Sequence, residues 1–375
     1  MGKSTSTKGE RMSFGINGSI NVDAARPVTV VSTTPIAIVG TTDAGTLGLQ
    51  FYGTVALAIT AFASATTGTI KEALSAIDAQ GVTCPIIINA LADTAVEADV
   101  IAAVTELSTA YAVTGYRPDL IVCPEWSGTA TVGAAMDAVA TKLWATAIID
   151  VTAMTETAAL TYAGNFGSRF VLLAGPDSIT INGMVTTPSA AYAGLIAAMD
   201  ASNPFGWAES ASNRVVKGVS SMDRIVDYAD GQDCEARRLR NAGIASIVRD
   251  VGWRSYGFET TDIDPIWQSL ERVRTFYRML RAMQTASKWA RDRQADELLQ
   301  VKQSVEEFMR ELIGNGVGLG FEVYFDSTKN TKATVTAGKF YLTVRFQNMP
   351  TIRELNIELV YVDDYSDVLL TIING

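Results

Sequence analysis

Leu120–Val151 reads LIVCPEWSGTATVGAAMDAVATKLWATAIIDV. The short apolar runs Leu120–Cys123 and Ala147–Val151 predict buried strands, and residues 128–142 between them predict an amphipathic helix. A strand, a helix and a second strand form a βαβ unit, whose strands lie parallel. The pattern repeats on both sides of this stretch. Ile36–Val39 and Ile86–Asn89 upstream, and Phe170–Leu173 downstream, read as further buried strands. Helices are expected at 69–80, 94–112, 155–163 and 188–200. This alternation predicts a mostly parallel sheet with helices on both faces. Residues 47–65 are rich in Gly, Thr and Ala and give no clear element.

A sheet of this kind raises the question of a nucleotide site. Gly40-Thr-Thr-Asp-Ala-Gly45-Thr-Leu-Gly48 follows the first strand, but it fits neither GxGxxG nor GxxxxGK[ST]. No cofactor is expected, and the fold alone argues for no activity.

Composition narrows the function further. The 375 residues suffice for two or three domains, and 48% hydrophobic against 19% charged residues supports a substantial core. A formal net charge of −10 argues against general binding to nucleic acid or anionic membranes. The chain has no histidine, which removes Ser-His-Asp and Cys-His nucleophiles, His-bearing zinc sites and imidazole acid–base chemistry. Cys84, Cys123 and Cys234 are far apart with no CxxC, and read as reduced core thiols of a protein made in a cytoplasm. No apolar run approaches a membrane span, and the N-terminus lacks a secretory h-region.

Beyond Arg237 the pattern changes. IWQSLERVRTFYRMLRAMQTASKWARDR (266–293) predicts one helix roughly 40 Å long. Asp262 or Asp264 is expected to cap it, and Pro265 to sit in its first turn. Ile266, Leu270, Val273, Tyr277 and Leu280 make an apolar stripe, while Arg274, Arg278, Arg281 and Lys288 make a cationic stripe on another face. In an acidic protein the natural partner of that stripe is an acidic protein surface; the alternative is an ordinary solvated face. A further helix, 296–313, stops at Gly314-Asn315-Gly316. The chain then turns to β: Phe321, Val323 and Phe325 alternate, Phe340, Leu342, Val344 and Phe346 alternate, and Ile357, Leu359 and Tyr361 follow.

Both ends carry strand patterns without a local hairpin partner. Phe14, Ile16, Ile20 and Val22 alternate with polar residues over about 13–22, and Val368–Ile373, including Val368, Leu370 and Ile372, reads as a last strand after the linker Asp363-Asp364. The N-terminal strand either returns to the edge of its own sheet or is donated to a neighbour. Two apolar terminal strands are an aggregation hazard unless they have designated partners.

Several segments, in order, resemble the contractile tail sheath proteins of phages and phage-tail-like particles, most nearly the short, P2-like kind. They are Gly115-Tyr116-Arg117-Pro118-Asp119-Leu120-Ile121-Val122-Cys123-Pro124, Pro188–Asp200 (PSAAYAGLIAAMD), Gly206–Asn213 (GWAESASN), Asn241-Ala242-Gly243-Ile244, and Ala337–Leu342 with Pro350 and Ile357–Leu359. Each is weak alone; their order and spacing over most of the chain are more specific. The chain departs from the family pattern where a tryptophan and an arginine give way to Tyr256 and Glu259, and where Pro-Ala-Asn becomes Ala211-Ser212-Asn213.

The resemblance implies an α/β outer domain (28–235) with a mostly parallel sheet. It also implies an α+β inner, tube-facing domain (236–362) whose sheet is extended by terminal arms of neighbouring subunits. The arms would be residues 1–27 and 363–375, and the acceptor sheet would carry Phe340, Leu342, Val344 and Phe346. Arg274, Arg278, Arg281 and Lys288 would face an inner tail tube. The implied partners are further copies of the chain in stacked hexameric rings, the tube protein, and baseplate and tail-terminator proteins, with no nucleic acid and no membrane insertion. The implied place is a virion tail or tail-like particle assembled in a bacterial cytoplasm. A sheath of a bacteriocin, secretion or injection device is the alternative, with a nucleotide-binding α/β enzyme behind it.

Overall fold

The structure is a computed structural model, and it describes residues 27–30, 33–175, 177–363 and 365–374. Among the described residues, thirteen strands form three sheets. In chain order they are β1 (Ile36–Thr42), β2 (Gly48–Tyr52), β3 (Ile86–Ala92), β4 (Leu120–Val122), β5 (Thr146–Asp150), β6 (Val171–Gly175) and β7 (Ile179–Ile181). They continue as β8 (Met184–Thr186), β9 (Val219–Met222), β10 (Ile244–Arg249), β11 (Trp253–Tyr256), β12 (Gly318–Phe325) and β13 (Leu342–Asn348).

The large sheet has the order β11-β10-β6-β5-β4-β1-β3-β2. Its six inner strands are parallel, and only the edges β2 and β11 run antiparallel. The inner strands are almost wholly buried because helices cover both faces. One face carries the helices Ile70–Ala79 and Pro188–Ser202. The other carries Glu97–Glu106, Ala130–Leu143 and Glu156–Ala163. Alternating side chains of one strand therefore enter two cores: Ile36 and Ile38 go to the first, Ala37 and Val39 to the second. Cys84, Cys123 and Cys234 are buried free thiols.

The expected boundary between 235 and 236 is not where this sheet ends. β10 and β11 extend it to Tyr256, because the apolar run Ile244–Val248 pairs parallel with β6. A short strand after a helical turn looks the same in sequence whichever domain receives it.

Sheets with this topology bind ligands where strand order reverses, outside the carboxyl ends of the strands. Here the end of β1 is closed by its own chain. Thr69 N–H donates to Thr41 O at 3.0 Å, and Thr41 N–H donates to Thr69 Oγ1 at 3.2 Å. A Cβ on Gly40 would lie 2.5 Å from Thr69 Oγ1, so the glycine is what lets the 70–79 helix dock this close.

Asp150, at the end of β5, is fully buried. Its carboxylate accepts from Ser127 Oγ (2.9 Å), Ser189 N (2.9 Å) and Ser189 Oγ (2.8 Å), which ties β5 to the start of the 188–202 helix. Burial outweighs these donors and pushes the carboxyl up to about 6. A folded value above the unfolded one, near 4, means the native state holds an extra proton in between. That stabilisation is complete below about pH 4 and is lost as pH rises through 6. The stability difference between wild type and Asp150→Asn should therefore shift by about 3 kcal/mol from pH 4 to pH 7, read from urea unfolding at each pH.

The second unit has its own small core. Met279 and Ala282 of the helix Leu270–Ala286 pack with Val305, Phe308, Met309 and Leu312 of the helix Leu298–Gly314, together with Val28 and Trp207. Trp207 is completely buried, and its Nε1–H donates to Pro204 O at 3.1 Å. The β12–β13 hairpin lays Phe321, Val323, Val344 and Phe346 on this core, with Phe346 edge-on to Phe276 at 5.7 Å.

The long helix is shorter than its sequence suggests. It starts at Leu270, ends at Ala286, and is followed by a 3-10 turn at Lys288–Ala290. Asp262 and Asp264 do not cap it. Asp264 N–H donates to Asp262 Oδ1 (2.8 Å) and Ile266 N–H to Asp264 Oδ1 (3.0 Å), which makes two successive turns. Asp262 also pairs with Arg169 at 3.0 Å. Pro265 thus belongs to a turn, and Ile266 is exposed.

Candidate functional site

Two features of the second unit bear on function: the cationic stripe of the long helix, and the exposed β edges with the C-terminal segment.

The stripe is not a solvent-facing surface. Arg274 and Arg278 are only 8% and 7% exposed, and they turn into the α/β unit. Arg274 Nη1 donates to Asp200 Oδ1 at 3.0 Å, with Nη2 on Asp200 Oδ2. Arg278 Nη2 reaches Asp200 Oδ2 (2.8 Å), Asp119 Oδ2 (2.9 Å) and Thr34 Oγ1 (2.7 Å). Arg281 pairs with Asp119 and donates from Nη2 to the carbonyls of Leu143 (3.1 Å) and Trp144 (2.9 Å). The network fastens the long helix to the end of the 188–202 helix and to the loop before β4. Burial alone would raise the Asp200 pKa; the pull of Arg274 and Arg278 outweighs it and holds the carboxyl below its ordinary value.

The expectation that Arg274, Arg278 and Arg281 present themselves to an inner tube is corrected by this geometry: their charged ends are taken up inside the subunit. Lys288, at the 3-10 turn, stays exposed, as do Arg291 and Arg293 after it. The signal that would have found the network was available in the sequence. Asp119 and Asp200 are the carboxylates of two of the resembling motifs, each beside an apolar run, and a carboxylate next to a core needs a cation.

The β12–β13 hairpin is a two-stranded sheet, so among the described residues both of its outer edges are unpaired. Leu342, Val344 and Phe346 belong to β13, whereas Phe340 precedes the strand. Gly318 lies where a Cβ would come 2.2 Å from the Phe346 ring, which lets the two strands close over that side chain.

Past β13 two side chains hold the chain to its own subunit. Thr351 Oγ1 donates to Glu271 Oε1 at 2.9 Å, and Arg353 pairs with Glu259 at 2.7 Å. Glu259 also holds Arg240 at 2.8 Å, so the residue that replaces the family arginine is a hub for two cations. From Glu354 to Asp363 the chain then runs exposed and without regular structure, carrying Ile357 (83% exposed), Leu359 (96%) and Tyr361 (89%). The strand expected at 357–361 is absent, and Ser366–Asn374 is a helix where a strand with Val368, Leu370 and Ile372 was expected. The physical reason is shared. A strand needs an edge to pair with, and a segment that reaches none can satisfy its N–H groups only within itself or with water. The N-terminal strand with Phe14, Ile16, Ile20 and Val22 lies outside the described residues.

No family model matches the chain. Individual relatives do. A prophage major tail sheath protein of Pseudomonas aeruginosa (strain UCBPP-PA14) is 36% identical over 265 residues, 68% of each chain. The chain belongs to the tail sheath protein family. The tail sheath protein of Escherichia phage P2 is 28% identical over 276 residues, 71% of this chain and 69% of that one. Solved sheaths share the fold at lower identity. The helical sheath of the anti-feeding prophage in its contracted state matches with a TM-score of 0.69 at 19% identity, covering 93% of this chain and 99% of that one. The sheath complex of an extracellular contractile injection system, PVC, also contracted, matches at 0.71 and 14%, covering 96% and 100%. Sheath family membership makes the exposed apolar segment and the open hairpin edges the site of interest. Among the described residues there is no group of three or more Cys, Asp or Glu placed to hold a metal.

Proposed function

We propose that this sheath protein polymerises into a helical tube around an inner tail tube by exchanging its terminal segments between subunits, and that contraction of the tube drives the inner one through a cell envelope. The observation that carries the reading is the pairing of two unsatisfied features in one chain. One is a β12–β13 hairpin with open edges; the other is an apolar segment beyond Arg353 that no described residue of its own subunit covers. Strand addition to an open edge answers both, since main-chain hydrogen bonds give the affinity and alternate side chains the register. The segment 1–27 is the second arm in this scheme. Contraction is then a change between two packings of rigid bodies, with the arms as links that bend at 363–367 and 23–34 without parting. The chain acts as a structural element and not as an enzyme.

The tube-facing surface in this reading passes from the buried arginines to the exposed tip Lys288–Arg293, whose cations suit an acidic tube wall. Baseplate and terminator proteins are the partners at the two ends, and assembly takes place in the host cytoplasm. A phage-type tail is favoured over an injection device, because the phage and prophage relatives are 25–36% identical and the injection-system sheaths below 20%.

Electron microscopy of the purified chain at rising concentration tests this. Hollow striated tubes of uniform diameter are expected, and a chain lacking residues 1–22 should stay monomeric with an unchanged unfolding curve. Tubes from that shortened chain would rule out the N-terminal arm as a link.

A further inference from the structure

The arginine network under the long helix does not balance. Arg274, Arg278 and Arg281 bring three positive charges, and their partners Asp119 and Asp200 bring two negative ones. Arg117 adds a further cation at the rim, close enough to Arg281 to feel its charge. Arginine cannot shed its proton to relieve the excess. The carbonyls of Leu143 and Trp144 take up one side of Arg281 but carry no full charge.

The hydrogen bonding is uneven in the same place. Arg278 Nη2 meets three acceptors, whereas Arg278 Nη1 and Arg281 Nε are buried with none among the described residues. Both side chains line a cavity of about 20 Å³, together with their partner Asp119 and with Trp144, Thr146, Phe170 and Tyr277. That volume suffices for one water-sized occupant. A water would satisfy the N–H groups and leave the charge; sulfate, phosphate or a carboxylate side chain would not fit.

From the leftover charge, the two unpartnered donors and the size of the cavity, we infer that this is a binding site for a single halide-sized anion, chloride in practice. It is held by Arg278 Nη1 and Arg281 Nε, and it completes the junction between the long helix and the α/β unit. The ion acts as the missing third counter-charge, so its binding stabilises the folded subunit by mass action.

The test uses the full chain in sodium chloride, sodium bromide and sodium gluconate at matched ionic strength, gluconate being too large for the cavity. Tm should rise by roughly 2–4 °C in the two halides, saturably, and not in gluconate. In Arg281→Gln, which removes the surplus charge and one donor, the halide effect should vanish. Should that variant not fold, crystals of the wild type grown in bromide should show an anomalous peak within hydrogen-bond reach of Arg278 Nη1 and Arg281 Nε. Equal Tm in all three salts, a halide effect that survives in Arg281→Gln, or bromide crystals without that peak would each overturn the assignment.

Discussion

Replacing Asp200 with Asn should destabilise the subunit by about 3–5 kcal/mol, the largest loss expected from any single side chain outside the apolar cores. Asp200 is the shared acceptor of Arg274 and Arg278, and both arginines are more than nine-tenths buried. The neutral amide leaves two guanidinium groups side by side with only Asp119 to answer them. The cost arises from stranding these cations, not from the strength of any one contact; exposed pairs such as Arg345–Glu322 are worth about 0–1 kcal/mol each. Urea unfolding at neutral pH measures the loss. The acid limb gives an independent check. Because Asp200 is held below its ordinary value in the fold, its contribution is present above about pH 4, its unfolded range, and is lost as pH falls below that. The variant should lack this part of the acid sensitivity. An unfolding curve within about 1 kcal/mol of wild type would mean that the long helix is fastened by its apolar contacts alone.

Deleting residues 354–375 should have the opposite profile: little change in stability and complete loss of assembly. The described residues beyond Arg353 are all exposed, so removing the segment should alter the unfolding free energy by no more than about 0.5 kcal/mol. Removing this many apolar residues from solvent should also make the chain more soluble. If the segment pairs with a neighbour's open hairpin edge, tubes cannot form without it, whatever the concentration. Sedimentation and electron microscopy of the truncated chain decide the matter. Tubes formed by it would exclude the C-terminal arm as a necessary link, while a large fall in stability would show that the segment packs on its own subunit.

The two predictions separate two kinds of polar and apolar surplus. In the network, positive charge is gathered inside the subunit, where Asp119 and Asp200 answer most of it. In the tail, apolar surface lies exposed, with no cover among the described residues of its own subunit. Both were visible in the sequence as stripes of one residue type, and in both cases the stripe did not state its neighbour. Arg274, Arg278 and Arg281 read equally well as a surface and as a buried clasp. Hydrophobic periodicity reports that a helix has two faces; it does not report which face meets carboxylates far away in the chain.

The amino-acid sequence alone specified the α/β class, since each buried strand of the large sheet is a short apolar run between helical periods, a local property of contiguous residues. It also determined the absence of imidazole chemistry and, through motif order, the resemblance to sheath proteins. The tertiary structure decided what depends on distant partners. It carried β10 and β11 into the large sheet, ended the long helix at Leu270 and Ala286, and buried the arginines against Asp119 and Asp200. Among the described residues it also left 354–363 and 365–374 without a strand partner in their own subunit. The division follows from physics: turn and helix preferences act within a few residues, whereas charge burial and strand pairing depend on groups that only the folded chain, or a second copy of it, brings together.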